Sequence, residues 1–378
     1  MLRVSRSLLM MALATSAFYP MQSRAQFERS NPAGAVFVMN NSAQRNEIIS
    51  FTRAADGSLQ RAGSFATGGR GTGGTTDPLE SQGSLTLSQD HSLLFAVNGG
   101  SGDLSVFQVH GSRLILVDRK FTAGAEPNAV AQHGSLVYVL NVGGSSNVVG
   151  FTLSPGGQIR QISKSIRFLT TNNSEGASLA FSPDGRFLLA TERATNNLDV
   201  FEVRPDGTLG PIHVNPDAQP GAFALAFAPN GAVLVSETGP GGGNNASTIS
   251  SYAVQVDGTL SAISAGVPTL GNANCWNAVA PNGRWVYVSN AGSSTIAGFS
   301  IAASGALTPI GATVIGINPT GSGNLDIAVT ADSKFLYSLN SGNGTIGIFA
   351  IQEDGSLLNV GEPNVLVAKA GFNGIAAF

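Results

Sequence analysis

The amino-acid sequence predicts an all-β protein, a seven-bladed β-propeller with four-stranded antiparallel blades. Three observations predict this fold: a repeat of about fifty residues that recurs seven times, tight-turn motifs at fixed places in the repeat, and two chain ends that each hold part of one incomplete repeat. The clearest copy, residues 177–214, contains four short apolar segments separated by turns. Stacked units of this kind, which need neighbours to cover their apolar faces, are typical of propellers.

The second strand of every repeat ends in an asparagine or a glutamate, and this makes the copies countable. The seven positions are Asn40, Asn98, Asn141, Glu192, Glu237, Asn290 and Asn340, and they lie 43 to 58 residues apart. The runs before them are short and apolar, as expected for strands that neighbouring blades cover on both faces. Seven anchors predict seven blades, with a six- or eight-bladed ring as the alternative.

Tight turns join the first strand to the second and the third to the fourth. The first kind appears as SPDG at residues 182–185 and as APNG at residues 228–231 and 280–283, and the second as RPDGTL at residues 204–209. Asp-Gly and Asn-Gly between apolar runs predict hairpins because both residues tolerate positive φ.

The two chain ends complete each other. Residues 34–40 resemble a second strand that lacks its first strand, and residues 371–378 resemble a first strand that lacks its second. We therefore predict that the C-terminal strand becomes the innermost strand of the first blade, which closes the ring and removes an exposed sheet edge.

The order of the strands sorts the connections into two faces. All the tight turns fall on one face, and the longer, glycine-rich connections fall on the other, including residues 67–83, 170–176 and 238–248. We call these the short-turn face and the loop face. Since long loops on a rigid scaffold usually carry function, the sequence predicts a site on the loop face, over the central channel.

The N-terminus resembles a secretory signal peptide. Arg3 and Arg6 precede an apolar stretch at residues 8–18, and residues 23–25 provide small residues for cleavage. The prediction is a signal peptide at residues 1–25, one propeller domain at residues 26–378, and a monomer that is periplasmic or secreted. A net charge of −3 without basic clusters predicts that neither nucleic acid nor a membrane is a partner.

Most common catalytic motifs are missing from the sequence. Two G-x-G-x-x-G matches, at residues 69–74 and 342–347, are not followed by a helix that could hold a phosphate. The four histidines map to the short-turn face or to an outer strand, and the single cysteine, Cys275, suits buried packing. No cofactor is therefore expected, although a structural calcium ion bound by carboxylates and asparagines stays an alternative.

The strand ends supply the candidate site. Two neighbouring blades carry Glu192 and Glu237 where the others carry asparagine, and Arg193 follows the first, so these three are the candidate catalytic residues. A surface ion pair is the alternative for them. The candidate ligand-binding residues are Glu175, Trp276, Asp326, Asn98, Asn141, Asn290 and Asn340. For the asparagines a structural role at the strand end is the alternative, and for Trp276 it is core packing.

The repeat, an inner strand followed by SPDG, an apolar strand and a strand ending in PDGTL, resembles that of the β-propeller lactonase family, which includes the propeller-type 6-phosphogluconolactonase and the carboxymuconate lactonizing enzyme. The resemblance covers nearly all of residues 26–378 and implies the fold and a lactone-like ligand. It also implies a histidine, an Asp-Arg pair and an Arg-His pair, at positions where this sequence has Ala177, Asn196-Asn197 and Phe223-Ala224. Only the family's acidic position is kept, as Glu237.

The sequence predicts a lactonase-like propeller that binds a small lactone- or sugar-like molecule at the loop face, with lactone hydrolysis or lactonization as an open question. The segment VYVSNAGSSTIAGFSI, residues 286–301, is also similar to the repeats of exported surface-layer propellers. The alternative is therefore a non-catalytic propeller that docks an extracytoplasmic protein or glycan.

Overall fold

The computed structural model describes residues 33–241 and 243–378, and every regular element in these ranges is a β-strand. The predicted signal peptide, residues 1–25, lies outside the described residues. The described part of the chain contains no helix that is long and apolar enough to cross a membrane.

The strands form seven antiparallel sheets, which are the blades. Blade 1 contains β1 (Gly34–Met39), β2 (Glu47–Arg53) and β3 (Leu59–Ala66), and blade 2 contains β4 (Leu85–Leu87), β5 (Leu93–Asn98), β6 (Asp103–His110) and β7 (Arg113–Phe121). Blade 3 contains β8 (Ala125–His133), β9 (Leu136–Gly143), β10 (Asn147–Leu153), β11 (Ile159–Gln161) and β12 (Arg167–Phe168). Blade 4 contains β13 (Gly176–Phe181), β14 (Phe187–Glu192), β15 (Asn197–Val203) and β16 (Leu209–Pro216).

The remaining blades repeat the four-stranded pattern. Blade 5 contains β17 (Ala222–Phe227), β18 (Val233–Glu237), β19 (Thr248–Val254) and β20 (Leu260–Pro268), and blade 6 contains β21 (Asn274–Val279), β22 (Trp285–Asn290), β23 (Thr295–Ile301) and β24 (Leu307–Ile317). Blade 7 contains β25 (Asn324–Val329), β26 (Phe335–Asn340), β27 (Thr345–Ile351) and β28 (Leu357–Gly361), and β29 (Ile375–Ala377) follows. The predicted seven blades are confirmed. Blade 3 departs in one detail, since its outer strand is split into β11 and β12, which both pair with β10.

The C-terminal strand closes the ring as predicted. β29 pairs with β1 in antiparallel register, with Phe37 opposite Ala376, so the first blade has the strand order β29-β1-β2-β3. Backbone hydrogen bonds extend the pairing at both ends, from Ala35 N to Phe378 O at 3.2 Å and from Asn373 N to Met39 O at 3.1 Å. Blade 1 therefore combines strands from both ends of the chain.

The tight turns adopt the conformation that their sequences predict. In the turn between β13 and β14, Asp184 Oδ1 accepts from the backbone N–H of Arg186 at 3.1 Å, and Gly185 has a φ of +71°. A Cβ at Gly185 would also lie 2.5 Å from His133 Cε1 in the neighbouring blade. The glycine is therefore needed for both the positive φ and the close approach.

The core lies between the blades. A tyrosine in the second strand of three blades donates to a glycine carbonyl in the outer turn of the next blade: Tyr138 to Gly207, Tyr287 to Gly355 at 2.9 Å and Tyr337 to Gly57 at 2.8 Å. The last of these joins blade 7 to blade 1, across the junction where the ring closes. Neighbouring blades are thus joined by apolar packing and by buried hydrogen bonds of one repeated type.

Candidate functional site

The longest loop-face connection, between β3 and β4, crosses the central channel. Its residues 79–82, here called the channel plug, meet the inner strands of four blades. Ser81 Oγ donates to Asn128 O in β8 at 2.7 Å, Gln82 N donates to Ala177 O in β13 at 2.9 Å, and Gln82 Nε2 donates to Leu225 O in β17 at 3.4 Å. The indole Nε1–H of Trp276 in β21 donates to Ser81 O at 3.0 Å. Because these strands surround the channel, the plug spans it.

Residues on both sides of the channel plug form hydrogen bonds with the C-terminal segment. Asn373 Nδ2 donates to Asp77 Oδ1 at 2.9 Å, and Asn373 Oδ1 accepts from Ser84 Oγ at 3.0 Å. Burial and, next, the negative charge of Glu80 raise the pKa of Asp77 to about 7, while the positive charge of Arg193 acts in the opposite direction. The segment that closes the ring therefore also holds the plug.

A solvent-open pocket lies beside the plug on the loop face. The Arg193 pocket has a volume of about 420 Å³, and its lining includes Leu79, Glu80, Glu126, Asn128, Glu175 and Arg193. Glu80 comes from the plug, Glu126 and Asn128 from β8, and Glu175 and Arg193 from the two loops that flank β13 and β14. Blades 3 and 4 and the plug thus contribute to one site.

Arg193 is the centre of this pocket. Its guanidinium forms ion pairs with Glu80 and, at 3.2 Å, with Glu175 Oε2. The guanidinium carbon lies 5.5 Å from the centroid of the Phe223 ring, and the backbone N–H of Arg193 donates to Glu175 O at 3.3 Å. These contacts fix the cation at the pocket wall with its side chain 23% exposed. The surface ion pair considered as the alternative for Arg193 with Glu192 and Glu237 is not formed, because Arg193 pairs with Glu80 and Glu175.

Glu192 does not reach this pocket. Its side chain is fully buried between blades 3 and 4, where it accepts from the backbone N–H of Thr170 at 2.7 Å and from the hydroxyls of Thr170 and Thr195. Asp199, in the adjacent strand β15, is also fully buried, and neither of its carboxylate oxygens has a hydrogen-bond partner in the described residues. Burial, and then the Glu192 charge, raise the pKa of Asp199 to about 9.

Glu237 lies in a similar environment between blades 4 and 5. It is fully buried and accepts from the Thr248 hydroxyl, and burial followed by the charge of Asp217 raises its pKa to about 8. Burial raises the pKa of Asp217 to about 6, against the hydrogen bonds from the Tyr252 hydroxyl and from the Ala218 backbone. Neither Glu192 nor Glu237 has the exposure that a general base needs to meet a substrate.

The four asparagines proposed as ligand-binding residues are buried as well, and they join blades. Asn98 Oδ1 accepts from Thr67 Oγ1 at 2.6 Å, and Asn141 Oδ1 accepts from Thr122 Oγ1 at 2.6 Å. The other two donate from Nδ2, Asn290 to Thr269 O at 3.5 Å and Asn340 to Asn318 Oδ1 at 3.1 Å. Every partner lies at the end of the previous blade's outer strand, so the structural alternative describes these asparagines.

Trp276 and Asp326 are also buried instead of facing the channel mouth. Trp276 is fully buried, packs edge-on against Phe223 at 5.3 Å and bonds the plug, so core packing and plug support describe it better than a stacking platform. Asp326 accepts from Ile375 N at 3.1 Å and from its own neighbour Ile327 N at 2.9 Å, and burial raises its pKa to about 7. Of the ten predicted site residues, only Glu175 and Arg193 line the pocket.

Comparison with known proteins finds one family with a similar sequence and several structures with the same fold. Residues 145–275 match the family model described as "Lactonase, 7-bladed beta-propeller". The chain is a seven-bladed β-propeller, and about a third of it is similar in sequence to this family. A sequence search of curated proteins finds no match.

Several solved structures share the fold of this propeller. A candidate 6-phosphogluconolactonase from Bacteroides uniformis aligns with a TM-score of 0.69 and 19% identity over 92% of this chain and 100% of its own. The periplasmic gluconolactonase PpgL of Pseudomonas aeruginosa aligns with a TM-score of 0.65 and 16% identity over 91% and 98%. A functionally unknown protein from Desulfotomaculum acetoxidans aligns with a TM-score of 0.66 and 16% identity over 91% and 98%. At these identities the likeness shows the fold alone.

The residues at the positions where the resemblance implies polar catalytic residues have structural roles in this propeller. Ala177 and Phe223 are buried under the plug and beneath Arg193, respectively. Asn196 caps the loop before β17, since its Oδ1 accepts from Gly221 N at 2.7 Å and from Ala222 N at 3.1 Å. At these positions, residues that pack in the core or cap a loop thus replace the polar residues that the resemblance implies.

Two pocket carboxylates, Glu80 and Glu126, were not predicted from the sequence. Glu80 lies in the longest loop, and that length was the one available signal. Glu126 lies at the start of an inner strand and has a φ of +51°. No sequence motif predicts this backbone conformation. The described residues contain no cluster of three or more His, Cys, Asp or Glu side chains suited to a metal ion, so the calcium site stays a prediction.

Proposed function

We propose that this lactonase-like propeller binds a small uncharged sugar or sugar lactone in the Arg193 pocket. The observation that carries the proposal is a solvent-open cavity of about 420 Å³ lined by three carboxylates, two amides and one guanidinium. Cavities of roughly 300 to 1,000 Å³ hold small-molecule ligands. Hydroxyl groups can donate to the carboxylates, and a carbonyl or ring oxygen can accept from Arg193.

The charge of the pocket selects against anions. Three carboxylates face one guanidinium, so a phosphate or carboxylate on the ligand would meet a net negative wall. The lining also includes the amides of Asn128 and Asn173. Hydroxyl groups can act as donors and as acceptors towards carboxylate, amide and guanidinium groups. A neutral, hydroxyl-rich ligand fits this set better than a phosphorylated one.

Lactone hydrolysis is the second candidate function, favoured by Glu126. Glu126 is exposed in the pocket and forms no ion pair among the described residues, whereas Glu80 and Glu175 both pair with Arg193. In a bound lactone, Arg193 would stabilise the negative charge that develops on the carbonyl oxygen, and Glu126 would take the proton of the attacking water. The buried Glu192 and Glu237 take no part in this step.

Replacing Arg193 by glutamine tests the binding site. Titration calorimetry with glucose, gluconolactone and 6-phosphogluconate should detect the neutral compounds, and Arg193→Gln should weaken their binding at least about tenfold, because a charged hydrogen bond is worth roughly 1.5 to 3 kcal/mol. Arg284→Gln is the matched control, since Arg284 also lies over an aromatic ring, at 4.6 Å from the Trp285 centroid, but on the short-turn face. Equal affinity in Arg193→Gln, or tighter binding of the phosphorylated compound, contradicts the proposal.

Hydrolysis is measured with gluconolactone, as lactone ring opening above the spontaneous rate. If Glu126 is the base, Glu126→Gln should lower kcat about a hundredfold while leaving binding of glucose unchanged. A rate that stays at the spontaneous level in the wild-type protein removes hydrolysis and leaves the binding proposal standing.

We further propose an exported, monomeric protein. The signal-like residues 1–25 support export, and the periplasmic location of PpgL is in keeping with it. Cell fractionation with and without residues 1–25 checks this proposal, since a full-length protein found in the cytoplasm contradicts it. Docking of an extracytoplasmic protein or glycan stays the alternative, and a pull-down from the periplasm addresses it.

A further inference from the structure

The channel remains open on the side of the plug that faces the short turns. There it forms a cavity of about 690 Å³, here called the channel cavity, with Gln82 of the plug and Gly83 at its inner end. Its walls come from the inner strands of blades 2 to 5, and its rim contains the turn prolines Pro183, Pro229 and Pro281. It lies on the opposite side of the plug from the Arg193 pocket, so it is a separate site.

The chemistry of the channel cavity differs from that of the Arg193 pocket. In the described part of the chain, no aspartate, glutamate, lysine or arginine lines it. Its polar groups are the imidazole of His133, whose Nε2 lies 3.1 Å from Pro183 O, and a set of amides and hydroxyls, namely those of Gln82, Gln89, Gln132, Thr86, Ser178 and Ser182. A charged ligand would lose its hydration without gaining an opposite charge, whereas a neutral ligand with hydroxyl groups finds both donors and acceptors.

Apolar surface lies beside these polar groups. Phe181 and Phe227 form part of the wall, and Ala180 and Ala226 lie at equivalent places in β13 and β17, where larger side chains would narrow the channel. Proline rings at the rim are rigid, so they lose little conformational freedom when a ligand covers them. An alternation of amide groups and flat apolar surface suits a sugar ring, which has hydroxyl edges and C–H faces.

A second cavity continues the site outward. It measures about 420 Å³, lies between the short turns of blades 4 to 6, and shares Ser182, Pro183, Phe227 and Pro229 with the channel cavity. It contains one carboxylate and one guanidinium, Asp184 and Arg186, so it adds no net charge. The shared wall makes the two cavities one continuous depression, which is longer than a single sugar ring requires.

We propose that the short-turn face of this protein binds an uncharged oligosaccharide, with one terminal sugar in the channel cavity and the following units between the turns of blades 4 to 6. This site goes beyond the proposed function, since it shares no residue with the Arg193 pocket.

The test uses the full-length Arg193→Gln protein, in which binding at the loop-face site is weakened, and titrates it with glucose, maltose, maltotriose and glucuronate. Affinity should rise about tenfold from glucose to maltotriose, and glucuronate should bind more weakly than glucose. Ala226→Leu, which extends a half-buried wall residue into the cavity, should abolish binding at an unchanged melting temperature. Gln89→Ala, at an exposed turn on the rim, should weaken binding about threefold and serves if Ala226→Leu does not fold.

Three results would overturn the proposal. They are a lack of binding of every neutral sugar at millimolar concentration, equal binding in the Ala226→Leu and Gln89→Ala proteins, and binding of glucuronate as tight as that of glucose. Failure of the Arg193 pocket leaves this test intact, because binding is measured with Arg193 already replaced. Conversely, Ala226→Leu in an otherwise wild-type protein should leave the Arg193 pocket able to bind.

Discussion

Removal of residues 371–378 is expected to abolish cooperative unfolding or to lower the melting temperature by well over 10 °C. The deletion takes away β29 and the buried side chains of Phe372, Ile375, Ala376 and Ala377, and it exposes the inner edge of β1. Burial of one large apolar side chain contributes about 1.5 to 3 kcal/mol, and whole domains are stable by only about 5 to 15 kcal/mol. The measurement is thermal unfolding by circular dichroism or calorimetry.

The control for this deletion is Leu358→Ser in the outer strand β28 of blade 7. Leu358 is 56% exposed, so its replacement should shift the melting temperature by no more than a few degrees. A synthetic peptide of residues 371–378, added to the truncated protein, should restore part of the lost stability by pairing with β1. A melt of the truncated protein that matches the wild type would show that the ring does not need this strand.

The second large effect is expected in Asp199→Asn, which should stabilise the protein at alkaline pH. In the fold the pKa of Asp199 is raised to about 9, whereas its ordinary value is 3.8. Between these two pH values the folded protein holds a proton that the unfolded chain has released, so stability falls as pH rises, by up to about 1.4 kcal/mol per pH unit, and the loss ends above about pH 9. Asparagine keeps the shape and can donate to Glu192 without a titrating proton.

Chemical denaturation between pH 5 and pH 9 measures this effect. The wild-type free energy of unfolding should fall over this range, and the slope should be about one proton smaller in Asp199→Asn. Glu237 and Asp217, with pKa values raised to about 8 and about 6, supply part of the remaining slope. Asp257→Asn is the control, because Asp257 is fully exposed in an outer turn and its pKa is lowered by Thr259. Identical slopes in the wild type and Asp199→Asn would contradict the role of this buried acid.

The buried carboxyl groups show which features of the candidate site can be predicted from the sequence and which cannot. Glu192 and Glu237 stand out in the sequence because they replace asparagine in a repeated position. Unlike the asparagines, each lies near a second acid, Asp199 for Glu192 and Asp217 for Glu237. Their partners Thr170 and Asp217 belong to the preceding blade, however, and their burial follows from the packing of two sheets. The repeat therefore identifies the strand-end residues, but it does not predict whether each side chain faces solvent or the neighbouring blade.

The loop face illustrates the same limit. Residues 67–83 are recognisable as the longest connection, and one of them, Glu80, lines the Arg193 pocket. That the same loop spans the channel depends on hydrogen bonds to Asn128, Ala177 and Leu225, which lie 47 to 143 residues away from their partners in the chain. Loop length alone contains no information about such distant contacts.

The sequence by itself determined the seven blades, the closure of the ring by its own C-terminus and the division into a short-turn face and a loop face. These features follow from local signals, namely apolar runs, Asp-Gly turns and a fixed repeat, each of which acts over a few residues. Only the tertiary structure decided that the asparagines and glutamates join blades, that Trp276 supports a plug, and that Arg193 with Glu80, Glu126 and Glu175 forms the open pocket. The physical reason is that burial is set by neighbours distant in the chain, and burial determines whether a polar side chain stabilises the fold or meets a ligand.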